Sequence, residues 1–386
     1  MKPKYAGLIF MCAIIVSSCS TFSRHEYQIY SNVKLVDGEA TKETVNLFYN
    51  LKKIQKKSVI IGQHHATAYG IGWQHDKDRS DIKDIAGTHP GVYGWDITDI
   101  TNSEPEKIEF YTSLIKEAYA RGGINVFCWH YNNPVTGGLF YDTTVAVKHI
   151  LPSGSRHEIY KTELNKIADF ANSLTGPDNE PIPLIFRPFH EFDGNWFWWG
   201  KPFCSREEFI ELWHFTVKYL RDEKNVRNFI YAFSPDRFFQ TEAEFLERYP
   251  GDDFVDLLGM DNYGDFQNYG QGIEGIRKKL TIISNYAQKT NKVAALTETG
   301  VESIPDSLWW TAKFLPAIKK DSIKIAFAML WRNDNPKHHY APYPGHKSVP
   351  DFLKLKEDPY IIFQDRLKNP YEIDSQFFTS DYFSEK

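Results

Sequence analysis

Eight short apolar runs constrain the fold of this chain more than any other feature of its sequence. The runs are rich in β-branched and aromatic residues and are bounded by turn residues, which is typical of buried parallel strands. They are Ser58–Gly62, Gly91–Trp95, Ile124–Trp129, Pro183–Arg187, Asn228–Phe233, Val255–Met260, Lys292–Leu296 and Lys324–Leu330. Helical spacing recurs between most of them, at Pro105–Ala120, His157–Leu174, Arg206–Arg221, Ile273–Gln288 and Asp306–Lys319. Eight such alternations predict an α/β fold, a (β/α)8 TIM barrel, rather than an open sheet.

The first residues resemble a bacterial export signal. Lys2 and Lys4 precede an uninterrupted apolar run, Ala6–Val16, which is too short to span a membrane but long enough for a signal peptide. The run leads into Val16-Ser17-Ser18-Cys19, which resembles a lipobox. The pattern predicts that Cys19 is lipidated and becomes the mature N-terminus; an ordinary signal cleaved nearby is the alternative.

These signals and the lack of any internal linker predict three segments. They are a lipoprotein signal peptide at 1–18, a tether and lead-in at 19–41, and a single barrel domain at 42–386. The lipid would be the protein's sole attachment to a Gram-negative cell envelope. No acidic cluster follows Cys19, which favours the periplasmic side over the cell surface.

Composition narrows the possible partners. Forty-five basic and 50 acidic residues give a net charge of −5, which argues against nucleic acid as a partner. The 10 Trp, 22 Tyr and 28 Phe residues either fill the core or line a site for ligands with flat apolar faces, as sugars have. Cys128 and Cys204 would be buried free thiols, since one pair is no disulfide framework.

Polar or aromatic side chains follow every predicted strand. A barrel carries its active site at the carboxyl ends of its strands, so this pattern indicates an enzyme or a ligand-binding protein. The strand-end residues are Gln63-His64-His65, Asp96, His130-Tyr131-Asn132, His190-Glu191, Ser234-Pro235-Asp236, Asp261-Asn262-Tyr263, Glu298 and Trp331-Arg332-Asn333.

Two of these residues, Glu191 after the fourth strand and Glu298 after the seventh, form a pair of candidate catalytic carboxylates. Glycoside hydrolysis needs one carboxylic acid and one carboxylate on either side of the bond, with pKa values set apart by their surroundings. Aromatic neighbours would keep Glu191 protonated, whereas Arg187 or Tyr263 could keep Glu298 ionised. The alternative, that each glutamate only caps a helix, is harder to hold for both positions.

The ordered set of motifs resembles glycoside hydrolase family 26. It comprises Arg187-Pro188-Phe189-His190-Glu191, Glu298, Gly62-Gln63-His64-His65, Trp129-His130, Trp196, Asp261-Asn262-Tyr263, Trp331-Arg332 and Asp358-Pro359-Tyr360, and covers Gly62 to about Asp365. Members of that family are mostly retaining β-1,4-mannanases, and some act on mixed-linkage β-glucan or xylan. The resemblance therefore implies β-mannan or manno-oligosaccharide as the substrate.

The resemblance also implies roles for the residues that match. Glu191 would be the acid/base and Glu298 the nucleophile. His190 and His130 would hold hydroxyls of the sugar in the −1 subsite, and Tyr263 would donate a hydrogen bond to Glu298.

Four further residues would bind or support the sugar chain. Trp331 would lie under the reacting ring, and Arg332 would contact that ring or its neighbour. Trp196 would stack on a sugar on the leaving-group side, and Asp261 would orient a neighbouring donor. For each tryptophan, packing at the rim is the alternative.

Metals and cofactors are not expected. His64-His65 and His338-His339 are adjacent pairs, whose side chains point to opposite sides in a strand and rarely chelate one ion. No phosphate loop or dinucleotide motif is found. The sequence predicts no catalytic metal and no cofactor.

The mode of attack and two rival functions stay open. The segment 131–155 is long for a βα loop and carries Tyr141, Lys148 and His149, so it could close the cleft and favour release of mannobiose. An insertion that leaves an open cleft and endo attack is the alternative. The rivals are another retaining β-glycanase, acting on β-glucan or xylan, and a non-catalytic glycan-binding lipoprotein.

Overall fold

The computed structural model describes residues 33–267 and 270–373. Its centre is a set of eight parallel strands whose residues are almost all buried. The strands are β1 Val59–His64, β2 Val92–Asp96, β3 Ile124–Cys128, β4 Leu184–Arg187, β5 Phe229–Phe233, β6 Leu257–Asn262, β7 Val293–Thr299 and β8 Phe327–Leu330.

The eight strands form a closed barrel. Each pairs with its neighbour in chain order, and β1 pairs with β8, with Ile60 opposite Phe327. The predicted (β/α)8 TIM barrel is confirmed. A short strand, Ile361–Ile362, adds to β1 next to this closure, and a small hairpin pairs Tyr69–Gly70 with Trp73–Gln74.

Helices surround the barrel and connect its strands. They begin with α1 ahead of β1, and short π- or 3₁₀-helical turns extend several of them. The α-helices are α1 Lys42–Ile54, α2 Asp81–Ala86, α3 Thr98–Thr101, α4 Pro105–Ala120, α5 Val147–Ile150, α6 His157–Ser173, α7 Arg206–Lys218, α8 Glu242–Phe245, α9 Gly272–Lys289, α10 Leu315–Ile318 and α11 Val349–Glu357.

Local signals in the sequence explain several helix ends. Pro105 is the first residue of α4, where its missing N–H costs no hydrogen bond. Ser205 caps α7 through a reciprocal capping box with Glu208. The predicted helix 306–319 is shorter than expected: a π-helical turn at Trp310–Phe314 leads into α10.

The strands, in turn, run further than the apolar pattern indicated. β1, β6 and β7 include the polar residues His64, Asp261, Asn262 and Glu298, all buried. The apolar runs ended before them because a run stops at its first polar residue. A polar side chain can remain in a strand here because it finds partners inside the barrel.

The ends of the described chain pack onto the barrel. Asn46 of α1 donates from Nδ2 to the carbonyl oxygen of Tyr371 at 2.8 Å. Val36 donates from its backbone nitrogen to Oδ1 of Asp256 at 2.7 Å. The predicted signal peptide and Cys19 lie outside the described residues. Within these, no helix is both long and apolar enough to cross a membrane.

Candidate active site

The buried carboxylate of Glu298 lies in the mouth of the barrel, where it is bound by two donors and approached by a histidine. Arg187, at the end of β4, binds Oε1 through Nη2. Tyr263 donates from its hydroxyl to Oε2 at 2.9 Å, and Nε2 of His64 lies 3.5 Å from Oε1. A cation and a phenol, the two kinds of partner predicted from the sequence, therefore both bind this carboxyl group.

Arg187 bridges a carboxylate of β6 and a carboxylate of β7. Its Nη1 binds Oδ2 of Asp261 at 2.5 Å and Oγ of Ser234 at 3.1 Å. Burial alone would lower the pKa of the Arg187 guanidinium, but the Asp261 and Glu298 carboxylates raise it above its usual value. A bulge after Met260 shifts the register so that Asp261 lies opposite Glu298. Asp261 thus binds the same guanidinium that binds Glu298.

Glu191 lies in different surroundings. Its half-buried carboxyl accepts a 2.6 Å hydrogen bond from Nε1 of Trp196 and has no described ion pair. Burial first, and then the nearby charges of Asp261, Asp236 and Glu298, raise the pKa of Glu191 well above its usual value, while the Trp196 hydrogen bond lowers it. Glu191 thus lies in surroundings that favour its protonated form, whereas Glu298 is ion-paired with Arg187.

The turn that carries Glu191 is strained and tightly packed. Phe189 and Glu191 have φ of 52° and 53°, in the left-handed region that side chains avoid at a cost of about 1–3 kcal/mol each. A Cβ on Gly194 would lie 2.4 Å from the Trp196 ring, so only glycine lets the indole reach Glu191. Together, these features fix the carboxyl in place.

Two histidines stand beside the carboxylates. Nδ1 of His130 pairs with Oδ2 of Asp96 at 2.7 Å, which fixes the ring. Its ring centroid is 4.7 Å from that of His190. Burial, followed by the Arg187 charge, lowers the pKa of His190 well below its usual value, and Nδ1 of His190 has no hydrogen-bond partner among residues 33–267 and 270–373. A neutral imidazole has one donor and one acceptor nitrogen, which suits binding to a sugar hydroxyl.

Trp331 and Arg332 follow β8 on the same face. The Trp331 ring packs 4.5 Å from the His64 ring, measured between centroids. Arg332 donates from Nη1 to Oδ1 of Asp334 at 2.8 Å and lies 6.0 Å from the centre of the Tyr69 ring. The structure therefore brings the predicted site residues to one end of the barrel.

The long loop after β3 reaches this site. Buried Asn133 holds the loop together, donating from Nδ2 to the carbonyl oxygens of Asp142 and Thr144, each at 2.8 Å. Tyr141 at its tip stacks on Phe197, with centroids 5.5 Å apart. Burial and the nearby Glu191 and Glu298 raise the pKa of Tyr141. Of the other two loop residues singled out, His149 instead binds Ser155, and Lys148 is exposed.

Atoms of the kinds that bind metal ions also cluster at this site. His190, Asp261 and Glu298 offer such atoms within 4.8 Å of one another, and Cys128 does so in two further groups, one with His64 and Glu298 and one with Asp96 and His130. In the first group, Arg187 already binds both carboxylates. Cys128 and Cys204 are buried free thiols, as predicted.

Sequence reasoning assigned no role to four residues that shape the site: Asp96, Gly194, Asn133 and Ser234. Asp96 and Ser234 had been noted only as polar strand ends. Asn133 acts by donating to backbone carbonyls and Gly194 by allowing close approach, which no local pattern reveals. His64, which could have been purely structural, contacts the nucleophile candidate.

Comparisons with known proteins agree with this geometry. The family described as glycosyl hydrolase family 26 matches residues 36–364. A mannan endo-1,4-beta-mannosidase of Bifidobacterium adolescentis is 36% identical over 283 residues, 70% of this chain and 28% of that protein. The chain thus spans little more than a quarter of the length of that relative.

Two solved structures are similar over nearly the whole barrel. GH26C from a Muricauda species has a TM-score of 0.85 and 41% identity, covering 90% of this chain and 98% of that one. A GH26 beta-mannanase from Bacteroides ovatus has a TM-score of 0.82 and 42% identity, covering 87% and 98%.

Proposed function

This chain belongs to glycosyl hydrolase family 26, and we propose that it is a retaining β-1,4-mannanase acting on β-mannan or manno-oligosaccharides. The contrast between its two glutamates carries the proposal: burial and nearby carboxylates raise the pKa of Glu191, whereas Glu298 is bound by Arg187 and Tyr263. The substrate follows from relatives named as mannanases.

In the proposed reaction, Glu298 attacks the anomeric carbon while Glu191 protonates the leaving oxygen. The glycosyl–Glu298 ester is then hydrolysed by a water molecule from which Glu191 removes a proton. His130 and His190, neighbouring rings with His190 held neutral, would bind hydroxyls of the −1 sugar, with Trp331 beneath it. Trp196 would lie under the first sugar on the leaving-group side.

Two variants test the assignment of the glutamates. Glu298→Ala should abolish turnover of every substrate, because no nucleophile remains. Glu191→Ala should spare aryl mannobiosides far more than mannan, because good leaving groups need little protonation. Equal loss on both substrates would place the acid elsewhere. An α-anomer as the first product, seen by NMR, would refute retention.

We further propose that the loop after β3 closes the glycone side and favours mannobiose as product. The support is the hydrogen-bonded frame around Asn133 and the position of Tyr141, whose ring lies on Phe197 near both glutamates. Chromatography of early products from unbranched mannan tests this. Dominant mannobiose is expected, whereas rapid loss of viscosity with a ladder of longer products would contradict it.

The cellular address is a separate proposal, based on Val16–Cys19 alone. We propose that Cys19 anchors the protein in a Gram-negative envelope, facing the periplasm. Cys19→Ala should move the protein into a soluble fraction; continued membrane association would refute the anchor. Protease treatment of intact cells distinguishes the periplasmic side, where the protein is protected, from the surface, where it is cleaved.

A further inference from the structure

An exposed phenylalanine lies next to the proposed acid. Phe238, in the loop after β5, is 52% exposed, although most aromatic rings around the site are buried. Its ring centroid is 6.0 Å from that of Trp196, with the planes inclined by 53°. Trp196 in turn binds Glu191. The two rings thus form an open, angled aromatic surface that begins at the acid.

The backbone under Phe238 is tied to the loop that carries Glu191. Asp193 accepts hydrogen bonds from the backbone nitrogens of Asp236 at 2.6 Å and Phe238 at 3.2 Å. Glu191 donates from its own backbone nitrogen to the carbonyl oxygen of Ser234 at 2.9 Å. The position of Phe238 relative to Glu191 is therefore set by three hydrogen bonds between the two loops.

The ring is also supported from the side of the nucleophile. The Arg237 guanidinium lies over it, 4.9 Å from the ring centre. A Cβ on Gly264 would come within 1.9 Å of Nε of Arg237, so the arginine crosses the glycine backbone directly. Gly264 follows Tyr263, the donor to Glu298. A continuous series of contacts thus joins both catalytic loops through Phe238.

Exposing a large apolar ring has no benefit for folding, because its burial would be favourable. Here the ring is instead held rigid and open beside a concave surface. A cavity of about 250 Å³ adjoins it, lined by Phe238 with charged side chains that include Asp193, Lys201 and Glu244. An apolar face next to polar groups matches a sugar, which has an apolar face and a rim of hydroxyls.

We propose that Phe238 forms a second sugar-binding subsite on the leaving-group side, one sugar beyond Trp196. The occupant is the second residue of the departing β-mannan chain, and the site makes the enzyme prefer substrates that extend two sugars past the cleaved bond. This inference rests on the proposed function and adds to it a residue that determines substrate length.

The test compares substrates with and without that second sugar. The ratio of kcat/KM for mannotetraose to kcat/KM for an aryl β-mannobioside, whose leaving group has no sugar, should fall about tenfold in Phe238→Ala. Phe238→Tyr should restore the ratio because it keeps the ring. Ile159→Ala removes a similarly exposed apolar side chain on the outer helix α6 and should leave the ratio at the wild-type value.

The outcomes separate this inference from the proposed function. If the wild-type enzyme cleaves neither substrate, the proposed function fails. If it cleaves both, but Phe238→Ala keeps the wild-type ratio or loses both activities equally, the proposed subsite is wrong. A lower ratio together with fewer cleavages that release a disaccharide from the reducing end of labelled mannotetraose supports it.

Discussion

Removing the hydrogen bond that Trp196 donates to Glu191 should extend the enzyme's activity to higher pH. The indole Nε1 lies 2.6 Å from Oε2 of Glu191 and stabilises the ionised carboxylate, which lowers the pKa of that residue. Trp196→Phe keeps an aromatic ring but has no donor. The variant should therefore have a higher pKa at Glu191.

The size of the shift follows from the geometry. A hydrogen bond to a charged group contributes about 1.5–3 kcal/mol when water is excluded. Glu191 is half-buried, so water replaces part of the lost bond, and about half of the lower value, ~0.7 kcal/mol, is a conservative expectation. At 1.36 kcal/mol per pKa unit, this corresponds to about 0.5 unit.

The direction of this pKa shift determines which limb of the pH profile should be measured. Glu191 is the proton donor of the proposed mechanism, so activity should be present below its pKa and should fall as the pH rises through it. The alkaline limb of kcat/KM for mannotetraose should consequently move up by about 0.5 unit in Trp196→Phe. Trp213→Phe is the matched control, because Trp213 donates its indole N–H to the carbonyl oxygen of Phe254 instead, at 2.9 Å.

Three results would refute this reasoning. An alkaline limb that stays in place would mean that the hydrogen bond does not favour the carboxylate over the acid. A limb that moves to lower pH would mean that the indole stabilises the protonated form. An equal shift in Trp213→Phe would attribute the change to general loosening of the fold.

Three further variants test residues that bind the active-site side chains and hold them in place. Tyr263→Phe removes the 2.9 Å hydrogen bond to Glu298 and should lower kcat about 10-fold or more, with an unchanged melting temperature. Asp96→Asn leaves His130 without its charged partner, so KM should rise and the variant should respond less to methylation of the substrate hydroxyls. Arg187→Met leaves two buried carboxylates unpaired, and chemical denaturation should show a loss of about 3–5 kcal/mol; full stability would contradict that pairing.

The sequence was enough to predict the barrel and the position of both glutamates. Each follows an apolar run of the sequence, so the number of runs before it determines where it lies in the barrel. The same pattern placed Tyr263 and Arg187 as partners of Glu298, because both types of side chain stabilise a carboxylate.

The features of the site that the sequence did not reveal depend on how segments fit together in the folded chain, and not on residue type. The bulge that sets Asp261 opposite Glu298 changes the register by one residue, and no local signal marks it. Gly194 and Gly264 matter because Trp196 and Arg237 cross them, and such close approaches join segments that only the folded chain brings together.

The first strand of the barrel pairs with segments that come last in the sequence. The barrel therefore cannot close until nearly the whole chain is present. β1 pairs with β8 and with Ile361–Ile362, and Asn46 bonds to Tyr371 across 325 residues of sequence. Contacts of such long range form slowly. Until β8 and Ile361–Ile362 have joined the barrel, β1 has an unpaired edge, the kind of surface through which partly folded chains associate.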